Sequence, residues 1–163
     1  MKNIQKVLTD IIQESIKIFW VLFKVILPVI IVIRALELMG AIPYLAKFLE
    51  PLTSFIGIDG SLGLVWMAAI LVNIYAGMAA FASLQPIFDY TVAETTILGL
   101  IILIAHSLPI EVAIARQSRV SAIFNLLFRF INAIIAGKIL NYIFIKFELF
   151  NEQNSSILDI PTS

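Results

Sequence analysis

The 163-residue chain contains no cysteine and only one histidine, and just 13% of its residues are charged. Without cysteine it can form no disulfide, thiolate nucleophile, cysteine-ligated zinc site or iron–sulfur cluster. One histidine also excludes a multi-histidine metal site within one chain. Eleven Lys and Arg balance eleven Asp and Glu, so the charge favours neither a nucleic-acid-binding surface nor a funnel for acidic substrates. We therefore expect no metal, no cofactor and no nucleic-acid partner.

The chain is instead rich in apolar residues, with 61% hydrophobic residues and a mean hydropathy of +1.02. Soluble domains have about 45–50% apolar and about 25% charged residues. This composition predicts an integral membrane protein whose main partner is the lipid bilayer. Because each helical crossing takes about 20 residues, we expect an all-α domain over residues 1–150 with about four membrane-embedded helices. A polar tail, residues 151–163, is predicted to be disordered.

Two segments, residues 1–17 and 41–58, carry apolar residues at helical spacing beside a polar face. Both patterns predict amphipathic helices at the membrane interface. For the first segment, the alternative is a solvated extension of the first span, which begins at Ile18. In the second segment, we expect Pro51 to break the helix and Gly57 to Gly60 to form the turn that follows.

Two further apolar segments look interrupted. Residues 62–84 carry Asn73 at their centre, and residues 97–108 are too short to cross alone and are followed by Pro109. Each segment opens with a Leu-Gly-Leu sequence, and each becomes polar or helix-breaking about 11 residues later. Paired interrupted segments of this kind are typical of a transporter's site near the bilayer midplane. Residues 62–84 are long enough to cross the membrane. The second segment, if it continues through Pro109 to Ala115, is predicted to be a broken helix or a re-entrant hairpin.

The last span, about residues 120–145, carries Asn125, Arg129 and Asn132 on one face. A charge at the centre of a membrane costs roughly 2.5–3.5 kcal/mol on insertion scales. We therefore expect Arg129 to pair with Glu111, and we interpret Asn125, Arg129 and Asn132 as a structural polar network. The alternative, that all the intramembrane polar residues only hold helices together, stays open.

An enzyme is not expected from this set of polar residues, and we assign no catalytic residue. Ser107 is next to His106 in sequence, where the side chains of a helix diverge. A nucleophile would need a base within reach and a third group to orient that base.

Three motifs lie in the middle of the chain: Leu-x-Pro-Leu before a glycine turn (49–57), Asn-x-Tyr-Ala-Gly (73–77) and His-Ser-Leu-Pro-x-Glu (106–111). Together they resemble the nucleoside-recognition or Gate domain family. That family includes the spore maturation A and B proteins, the gate segments of ferrous iron transporter B and part of the concentrative nucleoside transporters. The resemblance covers about residues 19–145. It implies a small helical membrane module that has re-entrant pieces, works in pairs and contributes to solute passage.

Carried over residue by residue, the resemblance implies a solute-binding or gate centre. Its members are Asn73, Tyr75 and Gly77 from the first interrupted segment and His106, Ser107 and Glu111 from the second. Nothing in the sequence selects a nucleobase or a ribose, so the small-molecule solute stays unidentified, as do any coupling ion and the direction of transport.

Four or so helices enclose too small a cavity alone, so we expect a homodimer or a heteromer with a similar small membrane protein. With four crossings and both termini on one side, the flanking Lys and Arg residues are evenly divided, so orientation is not predicted and dual topology is one explanation. The sequence thus predicts half of a paired transporter or channel in the bacterial cytoplasmic membrane. The alternative is a non-transporting scaffold or maturation factor with a structural polar core.

Overall fold

The computed structural model describes residues 2–117 and 121–150, and the predicted disordered tail lies outside these residues. The described part contains seven helices and no strand, which confirms the all-α fold. The helices are α1 (Lys2–Leu38), α2 (Ile42–Ile56), α3 (Gly60–Leu71), α4 (Ile74–Leu84), α5 (Val92–Ile104), α6 (Leu108–Gln117) and α7 (Ala122–Phe147).

Within the described residues, three segments are long and apolar enough to cross a membrane: Asp10–Leu38, Val92–Arg116 and Ala122–Phe147. The second of these contains both α5 and α6. Helices α2 and α3 are bent by 91° relative to each other, and together they would count as a fourth, broken span. The expectation of about four membrane-embedded helices with interrupted segments is therefore confirmed.

The two amphipathic segments differ from expectation in their helix boundaries. Residues 1–17 are not separated from the first span by a break, because α1 runs without interruption from Lys2 to Leu38. A continuous helix agrees with the alternative, in which residues 1–17 extend the first span. That these residues lie at the membrane interface stays a prediction. The predicted break at Pro51 is wrong, because α2 continues through it. Pro51 is on the exposed side of α2, whereas Ile42, Thr53 and Ile56 are buried on the opposite side. The burial of these three side chains stabilises the helix by more than the proline costs.

Helices α3 and α4 form a hairpin that folds back at Asn73. A Cβ atom added to Gly77 would lie 2.8 Å from Ala69 Cβ. These residues are four positions on either side of Asn73, and in one straight helix they would be about 12 Å apart. Residues 62–84 therefore do not make a single crossing. Each arm is about 18 Å long or slightly less at 1.5 Å per residue, which is about half the thickness of a bilayer.

The open end of this hairpin meets the ends of three other helices. The Asp59 N–H before α3 donates to Glu94 Oε1 in the first turn of α5 at 3.0 Å, and Ala93 N–H donates to the Phe150 carbonyl after α7 at 3.0 Å. We call this the α2 end, because α2 lies here and α1 ends only four residues before α2 begins. The opposite end, where α6 ends and α7 begins, is called the α6 end.

Three crossings and a hairpin thus place the two ends of the described chain on opposite sides, unlike the four-crossing arrangement expected from sequence.

The hairpin makes a prediction for two glycines. Gly77→Ala should lower the free energy of unfolding by about 1–3 kcal/mol, because its Cβ would overlap Ala69. Gly99→Ala is the matched control, since Gly99 is also helical but has nothing within 4 Å of the added Cβ. It should leave stability unchanged or raise it slightly. Denaturation in mixed detergent micelles measures both, and equal effects would contradict the hairpin contact.

Candidate functional site

The first break lies between α3 and α4. Val72 N–H makes the last bond of α3, to the Ala68 carbonyl, and Asn73 then adopts an extended conformation with φ −171°. The Asn73 side chain caps α4 by accepting the Ala76 N–H at 3.0 Å. Because Asn73 has left the helix, the Ala69 carbonyl has no donor from its own helix. The break therefore presents an unbonded main-chain acceptor at the tip of the hairpin.

The second break lies between α5 and α6, at Ala105 to Ser107. Ser107 has a φ of +50°, a conformation that costs an L residue about 1 kcal/mol or more. Its N–H donates to the Ala69 carbonyl at 2.9 Å. Helix α6 then begins at Leu108 with Pro109 in its first turn, where a missing N–H costs nothing. The two breaks thus satisfy each other's main-chain groups.

Both breaks lie near the middle of the membrane-sized bundle. Helix α3 has 12 residues and α5 has 13. At 1.5 Å per residue, both breaks are about 18–20 Å from the α2 end. Lipid does not tolerate unpaired main-chain groups at this depth, so the breaks must be buried in protein or line a wet cavity.

Three side chains bond the carbonyls that the second break leaves free. Trp66 Nε1 donates to the Ala105 carbonyl at 3.2 Å, and Arg129 Nη1 donates to the Ile104 carbonyl at 3.3 Å. His106 Nδ1 lies 2.9 Å from the Ile102 carbonyl, and it donates when the proton is on Nδ1. The end of α5 is therefore held by groups from α3, α7 and the break itself.

The expected ion pair between Glu111 and Arg129 is present. Arg129 Nη2 lies 3.2 Å from Glu111 Oε2, and each side chain is 30% exposed. Asn125 joins this pair through a long 3.5 Å hydrogen bond from Nδ2 to the Glu111 carbonyl. Asn132 is separate, because its Nδ2 donates to the Phe128 carbonyl of its own helix.

The residues predicted for the solute centre fall into two groups. Gly77 is buried where the two arms of the hairpin touch, and Tyr75 is 46% exposed at the start of α4. Asn73, His106 and Ser107 are half-buried around the breaks. The contact between the two segments runs through Ala69 and Ser107 main-chain atoms, rather than through the Asn73 and His106 side chains.

Three polar atoms at the breaks have no hydrogen-bond partner in the described part of the chain. They are Asn73 Nδ2, His106 Nε2 and Ser107 Oγ. Across the described residues, no fully buried side-chain nitrogen or oxygen lacks a partner. Each of these three atoms therefore reaches an accessible surface, at a depth where lipid offers no hydrogen bonds.

A second polar cluster, at the α2 end, was not predicted. Glu94 Oε1 accepts Asp59 N–H at 3.0 Å while Glu94 Oε2 accepts Thr91 N–H at 2.9 Å. Ser61 Oγ is bonded to Asp59 and lies 2.7 Å from the Tyr90 hydroxyl. Burial raises the pKa of Tyr90, the Ser61 hydrogen bond opposes this rise, and the carboxylates of Asp59 and Glu94 add to it. The Thr-x-x-Glu spacing of a capping box at 91–94 is the sequence signal for part of this cluster.

An open cavity of about 500 Å³ lies beside this cluster. Its walls come from α2 and from the residues at the start of α3, with Glu94 of α5 on one side. The charged lining residues are Lys47, Glu50, Asp59 and Glu94. The cavity is at the membrane-surface end of the hairpin, about half a span from the breaks.

These features define a helical integral membrane protein in which a helical hairpin packs against a broken span. The chain is 29% identical, over 98 residues, to the uncharacterized membrane protein YvoD of Bacillus subtilis (strain 168). The match covers 60% of this chain and 30% of the relative, so the chain spans less than a third of that protein. No family model and no solved structure matches this chain.

The ion pair is testable by a double-mutant cycle. Glu111→Leu and Arg129→Leu should each destabilise the protein, because each leaves a charge unpaired in the membrane. The double variant should recover part of the loss, with a coupling of roughly 0.5–3 kcal/mol. Denaturation in mixed micelles measures the four proteins of the cycle.

The exposed Arg34–Glu37 pair on α1 provides the control cycle. Helical pairs at this spacing are worth about 0.2–0.5 kcal/mol. A coupling at Glu111–Arg129 no larger than this control would show that the two charges do not depend on each other.

Proposed function

We propose that this protein is a gate module for a small polar solute, and that two chains together form the passage. The observation that carries the proposal is the set of accessible, unpaired polar atoms on Asn73, His106 and Ser107 at mid-depth. An amide N–H, an imidazole nitrogen and a hydroxyl offer both donors and acceptors to a solute. A protein that needed only helix packing would gain more from leucine at these positions.

The hairpin and the broken span suit this role. The turn of the hairpin and the break in the span both lie near the midplane. The hydrogen bond from Ser107 N–H to the Ala69 carbonyl joins them. The Glu111–Arg129 pair, which is 30% exposed, is part of the same surface, since Arg129 also bonds the Ile104 carbonyl before the break. We assign Glu111 to the gate and Arg129, with Asn125, to its support. No covalent step is proposed.

Pairing follows from the exposure of this surface. Accessible polar atoms and a 30% exposed ion pair need a wet or polar neighbour within the bilayer, which a second chain supplies. The uncharacterized relative YvoD gives further support. Since 98 residues make up 30% of it, it is about twice as long as this 163-residue chain and has room for two such units. The organism of that relative favours the bacterial cytoplasmic membrane as the location.

A non-transporting scaffold is the second candidate, and one observation favours it. The Ile102, Ile104 and Ala105 carbonyls at the second break all have protein donors or ring partners. A break of this kind can therefore be stable without any solute. The two candidates differ in whether water reaches the unpaired side-chain atoms.

Cysteine accessibility separates the two candidates directly, because the native chain has no cysteine. Asn73→Cys and Ser107→Cys should react with a small water-soluble methanethiosulfonate reagent in the native membrane. Ala80→Cys is the buried control, since Ala80 has 0% exposure and belongs to the hydrophobic core. Reaction at positions 73 and 107 no faster than at 80 would favour the scaffold.

Flux through reconstituted vesicles tests the gate itself. Stopped-flow reswelling with uridine, erythritol and urea as separate permeants should show passage of at least one of them. Asn73→Leu and His106→Leu should slow that passage roughly three- to tenfold for each lost hydrogen bond. Asn132→Leu is the matched amide control, because the Asn132 side chain bonds a carbonyl of its own helix. Unchanged flux in both site variants would remove the site assignment.

A further inference from the structure

The distribution of charge between the two ends of the molecule is the starting observation. Within residues 2–117 and 121–150, four basic residues belong to each end, while Lys24 and Arg129 lie within the spans. Arg119 lies outside the described residues. At the α2 end these are Arg34, Lys47, Lys138 and Lys146. At the α6 end they are Lys2, Lys6, Lys17 and Arg116. Lys138 belongs to the α2 end because its Nζ lies 4.7 Å from the centre of the Phe55 ring of α2.

Orientation in the membrane follows the excess of Lys and Arg near the ends of the spans, while Asp and Glu contribute little. Four against four, or four against five when Arg119 in the connection between α6 and α7 is counted, leaves an excess of at most one residue. The connection between α4 and α5, which the hairpin places at the α2 end, carries no Lys or Arg and leaves this count unchanged. The basic residues therefore give little preference for either orientation.

The acidic residues are divided unequally. Six lie at the α2 end, namely Glu37, Glu50, Asp59, Asp89, Glu94 and Glu148, while only Asp10 and Glu14 lie at the α6 end. The α2 end thus has a net charge of −2 and the α6 end a net charge of +2 within the described residues. Two parallel copies would place ends of like sign side by side. Two inverted copies place each acidic end beside a basic end, which is electrostatically favourable.

We infer that the second chain is another copy of this protein inserted in the opposite orientation, so that the functional unit is an inverted homodimer. The inference rests on the pairing in the proposed function but not on solute passage. An inverted pair brings the two hairpins in from opposite sides of the membrane. Each pair of helix breaks is near the midplane, so the two sets of unpaired polar atoms would meet at one depth.

Two single-cysteine reporters measure orientation. Met39→Cys lies at the α2 end with 78% exposure, and Gln13→Cys lies exposed at the α6 end. An impermeant maleimide applied to spheroplasts should label about half of each reporter, with the rest labelled only after lysis. Complete labelling of one reporter and none of the other would show a single orientation and overturn the inference.

Two matched charge variants test whether both orientations are needed. Lys146→Gln with Val7→Lys moves one basic charge to the α6 end, and Lys17→Gln with Leu38→Lys moves one to the α2 end. These sites are exposed, and none is in the proposed gate. Each variant alone should insert in one orientation, opposite to the other, and should lose the dimer on crosslinking. Their co-expression should restore it.

A bifunctional thiol crosslinker identifies the neighbours. With differently tagged copies, Met39→Cys in one chain should crosslink to Gln13→Cys in the other, because inverted pairing puts the α2 end beside the α6 end. Crosslinks only between identical positions would establish a parallel dimer and contradict the inference. A parallel dimer that still passes solute in an Asn73-dependent way would leave the proposed function standing.

Discussion

The hydrogen bond from Ser107 N–H to the Ala69 carbonyl is the contact on which the rest of the arrangement depends. Ending a helix inside a membrane leaves carbonyls and N–H groups unbonded, and each costs several kcal/mol in lipid. Here α3 leaves an acceptor and the start of α6 supplies a donor. Each break therefore satisfies a main-chain group that the other leaves free. The positive φ of Ser107 is the local cost of aiming that N–H at the hairpin tip.

The packing around this bond is consistent with that requirement. Trp66 stacks on Phe130 with ring centres 5.3 Å apart and an interplanar angle of 2°, while its indole N–H bonds the Ala105 carbonyl. Arg129 joins the same region from α7 by bonding both the Ile104 carbonyl and Glu111. Helices α3, α5, α6 and α7 are thus tied together at one depth.

At the α2 end, Glu94 ties the starts of α3 and α5 by bonding main-chain N–H groups of both. The hairpin is therefore held at its base and at its tip.

Much of this fold could be predicted from the sequence. The hydropathy pattern predicts the long helices, and the interruptions at Asn73 and Pro109 predict the two breaks. The ion pair was predictable because an isolated Arg129 or Glu111 would be too costly in lipid. Periodicity could not show that residues 62–84 fold back, since the same apolar pattern fits a crossing or a hairpin. That choice depends on Gly77 fitting against Ala69, which is a contact between two arms rather than a property of either.

The candidate site was less predictable for a related reason. A sequence shows which polar residues lie at membrane depth but not which of their atoms are already bonded. Asn73 illustrates this, because its Oδ1 is used to cap α4 while its Nδ2 stays accessible. Asn132 carries the same amide, yet its Nδ2 is bonded to its own helix. The polar cluster at Asp59, Ser61 and Tyr90 was missed because turn residues look solvated until two helix starts are brought together.

The accessible atoms at the breaks are also the reason for proposing that a second chain completes the unit. A polar surface half-way through a bilayer is stable only against water, solute or protein, and the described helices leave it open on one side. A larger bundle could close it with further spans of the same chain. In the proposed assembly, a second chain supplies the surface that closes it. The proposed need for a partner thus comes from the same broken backbone that supplies the polar groups.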